Sequence, residues 1–153
     1  MQYRRMFGLL LLALLALPAC ATSWQMPTPQ GFVPFADKES LAFITPDGVR
    51  LKQRTVPNYP KAELAFWTDA LQRHMVARGY LLHGQKCFAT TTGLQGCTSE
   101  FIAPHGGEDW VLAQTLYVTG DDLQILEAAG PFARYQAVAP GLAKAYEGFG
   151  EEK

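Results

Sequence analysis

Few side chains in this sequence could do acid–base or metal chemistry, and one short segment, HGGED, holds several of them. His105, Glu108 and Asp109 lie within five residues there, and with a further ligand such as His83 they could hold a metal ion. A polar hairpin tip explains the same residues without a metal and is the favoured interpretation. No serine lies in a G-x-S-x-G elbow, and no phosphate loop, nucleotide fingerprint or zinc-ligand spacing is present. The sequence therefore predicts a protein that is not an enzyme and needs no cofactor.

Two of the three cysteines bracket the segment CFATTTGLQGC. Between Cys87 and Cys97 lie turn-forming residues with extended-type residues beside them. A metal site would need more ligands near by, and a redox dithiol usually has C-x-x-C spacing. We therefore predict a structural disulfide, which on the loop-entropy model contributes about 3 kcal/mol.

The third cysteine, Cys20, follows an apolar run over residues 6–17 that begins after Arg4 and Arg5. The run is too short for a membrane span, which takes about 20 apolar residues, and has the length of a secretory h-region. With the preceding Leu-Pro-Ala it resembles the lipobox of bacterial lipoproteins, although Pro18 departs from the commonest residue there. An ordinary signal peptide cleaved near by is the alternative.

The lipobox resemblance implies that residues 1–19 are a signal peptide, which is removed, and that Cys20 then carries fatty acyl chains such as palmitate. Two or three such chains anchor a protein stably in a membrane. Ala21 stands where an Asp would indicate inner-membrane retention, so the resemblance implies an outer-membrane lipoprotein facing the periplasm. That compartment is oxidising, which agrees with a Cys87–Cys97 disulfide.

Composition indicates one folded domain. Removing 19 of 153 residues leaves 134, and the loss of two arginines changes 13 basic against 14 acidic residues to 11 against 14, a net charge near −3. This balance argues against nucleic acid as a partner. With 48% hydrophobic residues, the chain is expected to bury a single core.

The chain divides at residue 38. Residues 20–37 contain three prolines and no clear hydrophobic period, so we predict a lipidated cysteine followed by a flexible tether. Residues 38–150 are predicted to form one globular domain.

A basic strip lies in the first predicted hairpin, LAFITPDGVRLKQRTV. Its turn is Pro-Asp-Gly, and in the second arm Arg50, Lys52 and Arg54 alternate with other residues, so they share one strand face. A solvated or charge-protected sheet edge is the simpler interpretation. The functional one is a docking strip for phospholipid headgroups, lipopolysaccharide or an acidic protein.

The remaining elements are one helix, a strand meander and a helical end. Leu64, Trp67, Leu71 and Met75 form an apolar helical stripe, with Pro60 in the first turn and Gly79 after the end. Successive strands with short turns then predict an antiparallel meander over residues 80–129. The last predicted helix is interrupted by Pro140.

This order of elements resembles the PsbP-like fold. The likeness rests on AFITPDGVRL, on LAFWTDALQRHMVARGY, on the meander from GCTSEF to EAAGP, and on FARYQAVAPGLAKAYEGF. An extrinsic protein of the plant oxygen-evolving photosystem, the Mog-type Ran-binding proteins and bacterial DcrB-type envelope lipoproteins share that fold. The resemblance implies an α+β protein, specifically an α/β/α sandwich with a mainly antiparallel sheet, used for binding or assembly.

Three functional hypotheses follow. The first is a lipid-anchored, non-catalytic accessory of the bacterial envelope with a protein partner there. The second is a carrier or sensor of a small lipid or anion. The third is a metal-dependent hydrolase that uses His105, Glu108 and Asp109.

Overall fold

In the computed structural model, residues 23–36 and 41–151 are described, and they form an antiparallel sheet between two helices. The predicted signal peptide, residues 1–19, and Cys20 lie outside the described residues. None of the described helices is long and apolar enough to cross a membrane. In chain order the elements are β1 (Trp24–Gln25), β2 (Val33–Ala36), β3 (Leu41–Ile44), β4 (Arg50–Pro57), α1 (Leu64–Ala77), β5 (Leu81–Ala89), β6 (Gln95–His105), β7 (Glu108–Thr119), β8 (Asp122–Pro131), α2 (Phe132–Glu147) and β9 (Gly150–Glu151).

Seven strands form the main sheet in the order β2-β3-β4-β8-β7-β6-β5, and all neighbouring pairs are antiparallel. Strands β5 to β8 are the predicted meander. Side chains alternate between the faces of a strand, so in β7 Val111 and Tyr117 pack in the cluster under α2, whereas Leu116 packs under α1. The predicted α/β/α sandwich is confirmed.

The core lies mainly on the α2 face. Tyr117 and Phe149, both fully buried, stack with ring centroids 4.3 Å apart, and the Tyr117 hydroxyl donates to the Tyr146 carbonyl at 2.9 Å. Tyr117 also packs onto Gly96, where an added Cβ would lie 2.5 Å from the tyrosine ring. Only glycine therefore leaves room for this ring.

Helix α1 begins later than the sequence indicated. Pro60 is not in its first turn, since the helix starts at Leu64. The predicted end is confirmed. Gly79 has φ +89°, its N–H bonds the Val76 carbonyl at 3.0 Å, and the Tyr80 N–H bonds the Met75 carbonyl at 3.1 Å, which together form a Schellman motif.

Helix α2 is continuous from Phe132 to Glu147, so the expected break at Pro140 is wrong. A proline in a helix interior removes one N–H, here the donor to the Gln136 carbonyl, four residues earlier. Both Pro140 and Gln136 are exposed. Water can therefore satisfy that carbonyl, while the buried Tyr135, Leu142 and Tyr146 hold both halves of the helix on the sheet.

The prediction of a flexible tether over residues 20–37 is wrong for the part of that segment that the structure describes. From residue 23 the chain is folded, because β1 pairs with β9 and β2 pairs with β3. Met26 and Phe32 are each only 5% exposed and belong to the core under α2. The folded body thus begins well before residue 38. The prolines that suggested a linker are compatible with this path, since a proline has no N–H to satisfy.

Candidate functional site

The three bases of the predicted strip lie on one exposed face of β4. Arg50, Lys52 and Arg54 are exposed, while Leu51 and Gln53 between them are buried towards α2. The pleat of the strand produces this alternation. The three cations are therefore held in a straight row by a strand that is paired on both sides.

Helix α1 leaves this part of the sheet uncovered. Leu64, Trp67 and Leu71 of the helix pack against a small cluster formed by Leu116, Leu123 and Ile125. In the β4–β8 register Arg54 lies opposite Ile125 and Arg50 opposite Ala129. The strip thus begins where the cluster under α1 ends, and it extends away from the helix.

Apolar side chains, exposed at Val33 and Phe35 and half-buried at Ile44, continue the same face towards the sheet edge. Ile44 of β3 pairs with Arg50, and Val33 of β2 pairs with Ile44. Along the next row, Phe35 pairs with Ala42, which pairs with Lys52. Val33 is 57% exposed and Phe35 37%. We name the surface formed by Val33, Phe35, Ile44, Arg50, Lys52 and Arg54 the open face.

The cations of the open face differ in their surroundings. Lys52 lies opposite Glu127, whose Oε2 accepts a hydrogen bond from Gln114 Nε2 at 2.6 Å. Within the described ranges, Arg50 and Arg54 make no side-chain hydrogen bond and no ion pair. Each guanidinium has five N–H donors in a planar fork that fits carboxylate or phosphate oxygens. The open face therefore keeps two such forks for a partner.

The metal candidate from HGGED is not assembled. Its two glycines form the tip of the β6–β7 hairpin, His105 pairs with Glu108, and Asp109 pairs with Pro104. Consecutive residues on a strand point to opposite faces, so Glu108 and Asp109 diverge. Across residues 23–36 and 41–151, no three His, Cys, Asp or Glu side chains come together in a group that could hold a metal ion.

The histidines near that hairpin make aromatic contacts instead. The His105 ring meets the Trp110 ring edge-on at 5.2 Å, and the His83 ring meets Phe132 in the same manner at 5.4 Å. His83 therefore packs beside the start of α2. It does not join His105, Glu108 and Asp109 as a further ligand for a metal ion at the hairpin tip.

The Cys87–Cys97 disulfide is confirmed. The two residues lie directly opposite each other in the β5–β6 register. Cys97 is buried and Cys87 is exposed. The bond fastens β5, the edge strand of the described sheet, to its neighbour β6, which agrees with a structural role.

Sequence reasoning missed the apolar half of the open face. Val33 and Phe35 belong to a segment that the sequence assigned to the tether. The signal that could have found this half is the segment FVPFA, which follows Gly31 and consists of four apolar or strand-type residues and one proline. An edge strand tolerates a single proline. Lipidation of Cys20 stays a prediction, because that residue is not among the described ones.

No family model and no curated protein matches this chain by sequence. Solved structures do match it. CyanoP, the PsbP protein of the cyanobacterium Synechocystis, has a TM-score of 0.62 at 14% identity, over 84% of this chain and 86% of CyanoP. LpqN of Mycobacterium tuberculosis, a protein involved in cell envelope biogenesis, has a TM-score of 0.55 at 13% identity, over 87% of this chain and 85% of LpqN.

A Pseudomonas aeruginosa protein of unknown function, PA94, is similar at a TM-score of 0.54 and 13% identity, over 82% of this chain and 81% of PA94. Identities this low establish the fold and leave function open. The chain is an α+β protein of the α/β/α sandwich class. Within that class it has a PsbP-like fold, as the sequence resemblance implied.

Proposed function

We propose that this chain is a non-catalytic accessory protein of the bacterial cell envelope, which binds an acidic partner protein through its open face. The open face itself carries the proposal, because it combines two arginines that are unpaired within the described ranges with exposed Val33 and Phe35. The fold likeness to LpqN, a protein involved in cell envelope biogenesis, supports the envelope context.

The shape of the open face favours a protein over a lipid surface. Alternate residues on a strand are about 7 Å apart, so Arg50 and Arg54 present their forks roughly 14 Å apart along a straight line. That spacing matches carboxylates on one face of an extended acidic segment.

The apolar neighbours supply the other half of such an interface. Arginine and aromatic residues are enriched where protein partners bury their central contacts, and charge pairs gain strength when water is excluded around them. Val33 and Phe35 lie beside the guanidinium row and would be buried together with it. Binding through this face should therefore be sensitive both to charge reversal and to salt.

Site-specific photo-crosslinking of the full-length chain in a bacterial host tests the proposal. With p-benzoylphenylalanine at position 33, we expect a discrete adduct with an acidic envelope protein. In the Arg50→Glu, Arg54→Glu double variant, the adduct should fall about tenfold or more, because like charges then face each other. The same label at position 82, an exposed apolar site on the opposite sheet edge, should not give this adduct.

A matched charge control separates the strip from net charge. Arg78→Glu with Lys144→Glu makes the same change of charge at exposed positions away from the open face, and the adduct should persist. If the adduct survives reversal of the strip, or if the label at position 33 reacts only with lipid, the partner assignment is wrong.

The lipid anchor belongs to the same proposal and has its own test. We infer that Cys20 carries the acyl chains that hold the protein at the outer membrane, facing the periplasm. Cells fed radiolabelled palmitate should label the wild type and leave Cys20→Ser unlabelled and released from the membrane fraction. Unchanged labelling and fractionation of Cys20→Ser would exclude this anchor.

A further inference from the structure

A pocket opens on the α2 face of the sheet, on the side away from the open face. It has a volume of about 320 Å³ and lies where α2 stops covering the outer strands β5 and β6. One face of the helix contributes Ala139 and Ala143, whose short side chains leave the space, and β5 contributes Gly84. A Cβ added at Gly84 would meet no atom within 4 Å. The volume is within the range of small-molecule sites.

Aromatic side chains and carboxylates line this pocket. Phe88, Tyr135 and Tyr146 provide the rings, and Glu100 of β6 provides a carboxylate beside them. The Tyr135 hydroxyl donates to Glu100 Oε1 at 2.8 Å, which fixes the carboxylate in place. With the described residues, Glu100 Oε2 makes no hydrogen bond, so one acceptor oxygen stays available.

Both tyrosines remain neutral donors. Burial, followed by the charge of Glu100, raises the pKa of Tyr135, and burial also raises the pKa of Tyr146. The buried Tyr146 hydroxyl lies near the Thr115 hydroxyl, which is hydrogen-bonded to the Thr98 hydroxyl at 2.7 Å, and within the described residues the Tyr146 hydroxyl itself has no hydrogen-bond partner.

The charges around the pocket favour a cation. Lys86 and Glu147 also line it, and they offset each other, so Glu100 sets the net charge at about −1. A carboxylate held among aromatic rings is a suitable environment for an ammonium group, which donates to the carboxylate and is attracted to the ring faces. An anionic head would instead be repelled by Glu100.

We propose that this pocket binds a small primary amine with an apolar body, its ammonium group on Glu100 and its body against Phe88 and α2. The inference does not depend on the open face. It concerns the opposite side of the sheet and a ligand of a different class.

Titration of the full-length, isotope-labelled protein in detergent, followed by NMR, tests the proposal with three probes of one shape: benzylammonium, benzyl alcohol and benzoate. The amide signals of Gly84, Ala139 and Ala143 should shift saturably with benzylammonium. Benzyl alcohol and benzoate should bind about tenfold more weakly or worse, because they lack the charge-assisted hydrogen bond. If all three probes bind equally, or if none saturates these signals, the proposal is wrong.

Two variants locate the binding site, and a third serves as the charge control. Glu100→Gln keeps an acceptor for Tyr135 but removes the charge, and should weaken benzylammonium about tenfold. Ala143→Leu fills the pocket and should abolish binding of every probe. Glu108→Gln makes the same charge change at the distant hairpin tip and should leave the affinity as it is. If Glu100→Gln binds benzylammonium as well as the wild type, the carboxylate is not the site.

Discussion

On the face that α2 covers, large apolar side chains fill the space between helix and sheet, and the N-terminal segment adds Met26 and Phe32 to them. On the face that α1 covers, Leu116, Leu123 and Ile125 form a smaller cluster, and Phe101 of β6 is buried on the same face. Beyond the helix, Arg50, Lys52 and Arg54 are exposed. Since burial of apolar area is the main favourable term in folding, the α2 face should supply most of the stability.

Other bonds add to the smaller apolar contact on the α1 face. The Cys87–Cys97 bond lies beside the helix, and the Asn58 side chain connects the start of α1 to the β7–β8 turn. The α2 side of the sheet thus supplies most of the apolar core, and part of the other side is left exposed for contacts.

The largest effect is expected from Phe149→Ala. This fully buried ring stacks against Tyr117, and its removal should lower the free energy of unfolding by about 3–5 kcal/mol. Phe66→Ala on α1, where the ring is 53% exposed, should lower it by less than about 1 kcal/mol. Urea denaturation measures both, and equal losses would remove the distinction between the two faces.

The second-largest effect on stability is expected from loss of the disulfide. Replacing Cys87 and Cys97 together by serine should cost about 3 kcal/mol on the loop-entropy model. A reductant should lower the stability of the wild type to that of the double variant and leave the variant unchanged. If the reductant leaves the urea denaturation midpoint of the wild type unchanged, the disulfide does not stabilise this face.

Asn58→Ala should have a smaller effect, about 2 kcal/mol, because Asn58 is buried and its loss leaves partly buried donors without a partner. Its Oδ1 accepts from the Trp67 indole N–H at 2.7 Å and from the Ala62 N–H at 3.1 Å. Trp67→Phe removes only the indole bond and should cost less. If Trp67→Phe costs more than Asn58→Ala, ring packing and not hydrogen bonding holds α1.

The smallest effect on stability is expected at the open face. Arg50→Ala with Arg54→Ala should change the free energy of unfolding by less than about 0.5 kcal/mol. Both side chains are exposed, and neither forms a hydrogen bond or an ion pair with the residues that the structure describes. The same variant should lose most of the crosslinked adduct. A large loss of stability would mean that these arginines belong to the fold.

Much of the fold could be predicted because its signals are local. The turn at Gly48, the stripe on α1, the Schellman end at Gly79 and the alternation in β7 are each set by residues close in sequence. The disulfide also follows from a short hairpin, since Cys87 and Cys97 are register partners. These features need no knowledge of distant contacts.

The other features depend on partners far along the chain. Strand β1 exists through its pairing with β9, more than 120 residues later, and Phe32 is buried by a core that its own segment does not encode. The pocket likewise needs Glu100 of β6 and Tyr135 of α2 to meet. No local pattern specifies that meeting, so the pocket could not be predicted, and the same is true of the continuity of α2 through Pro140.

The pairing of Trp24 with Glu151 also limits how far the folded body could stand from a bilayer if Cys20 is acylated as proposed. Only three peptide units separate Cys20 from Ser23, a reach of at most about 11 Å. A protein acylated at Cys20 would thus sit almost directly on the lipid headgroups, with little freedom to swing. Under the proposed acylation, any molecule that this protein binds would have to come to the membrane surface.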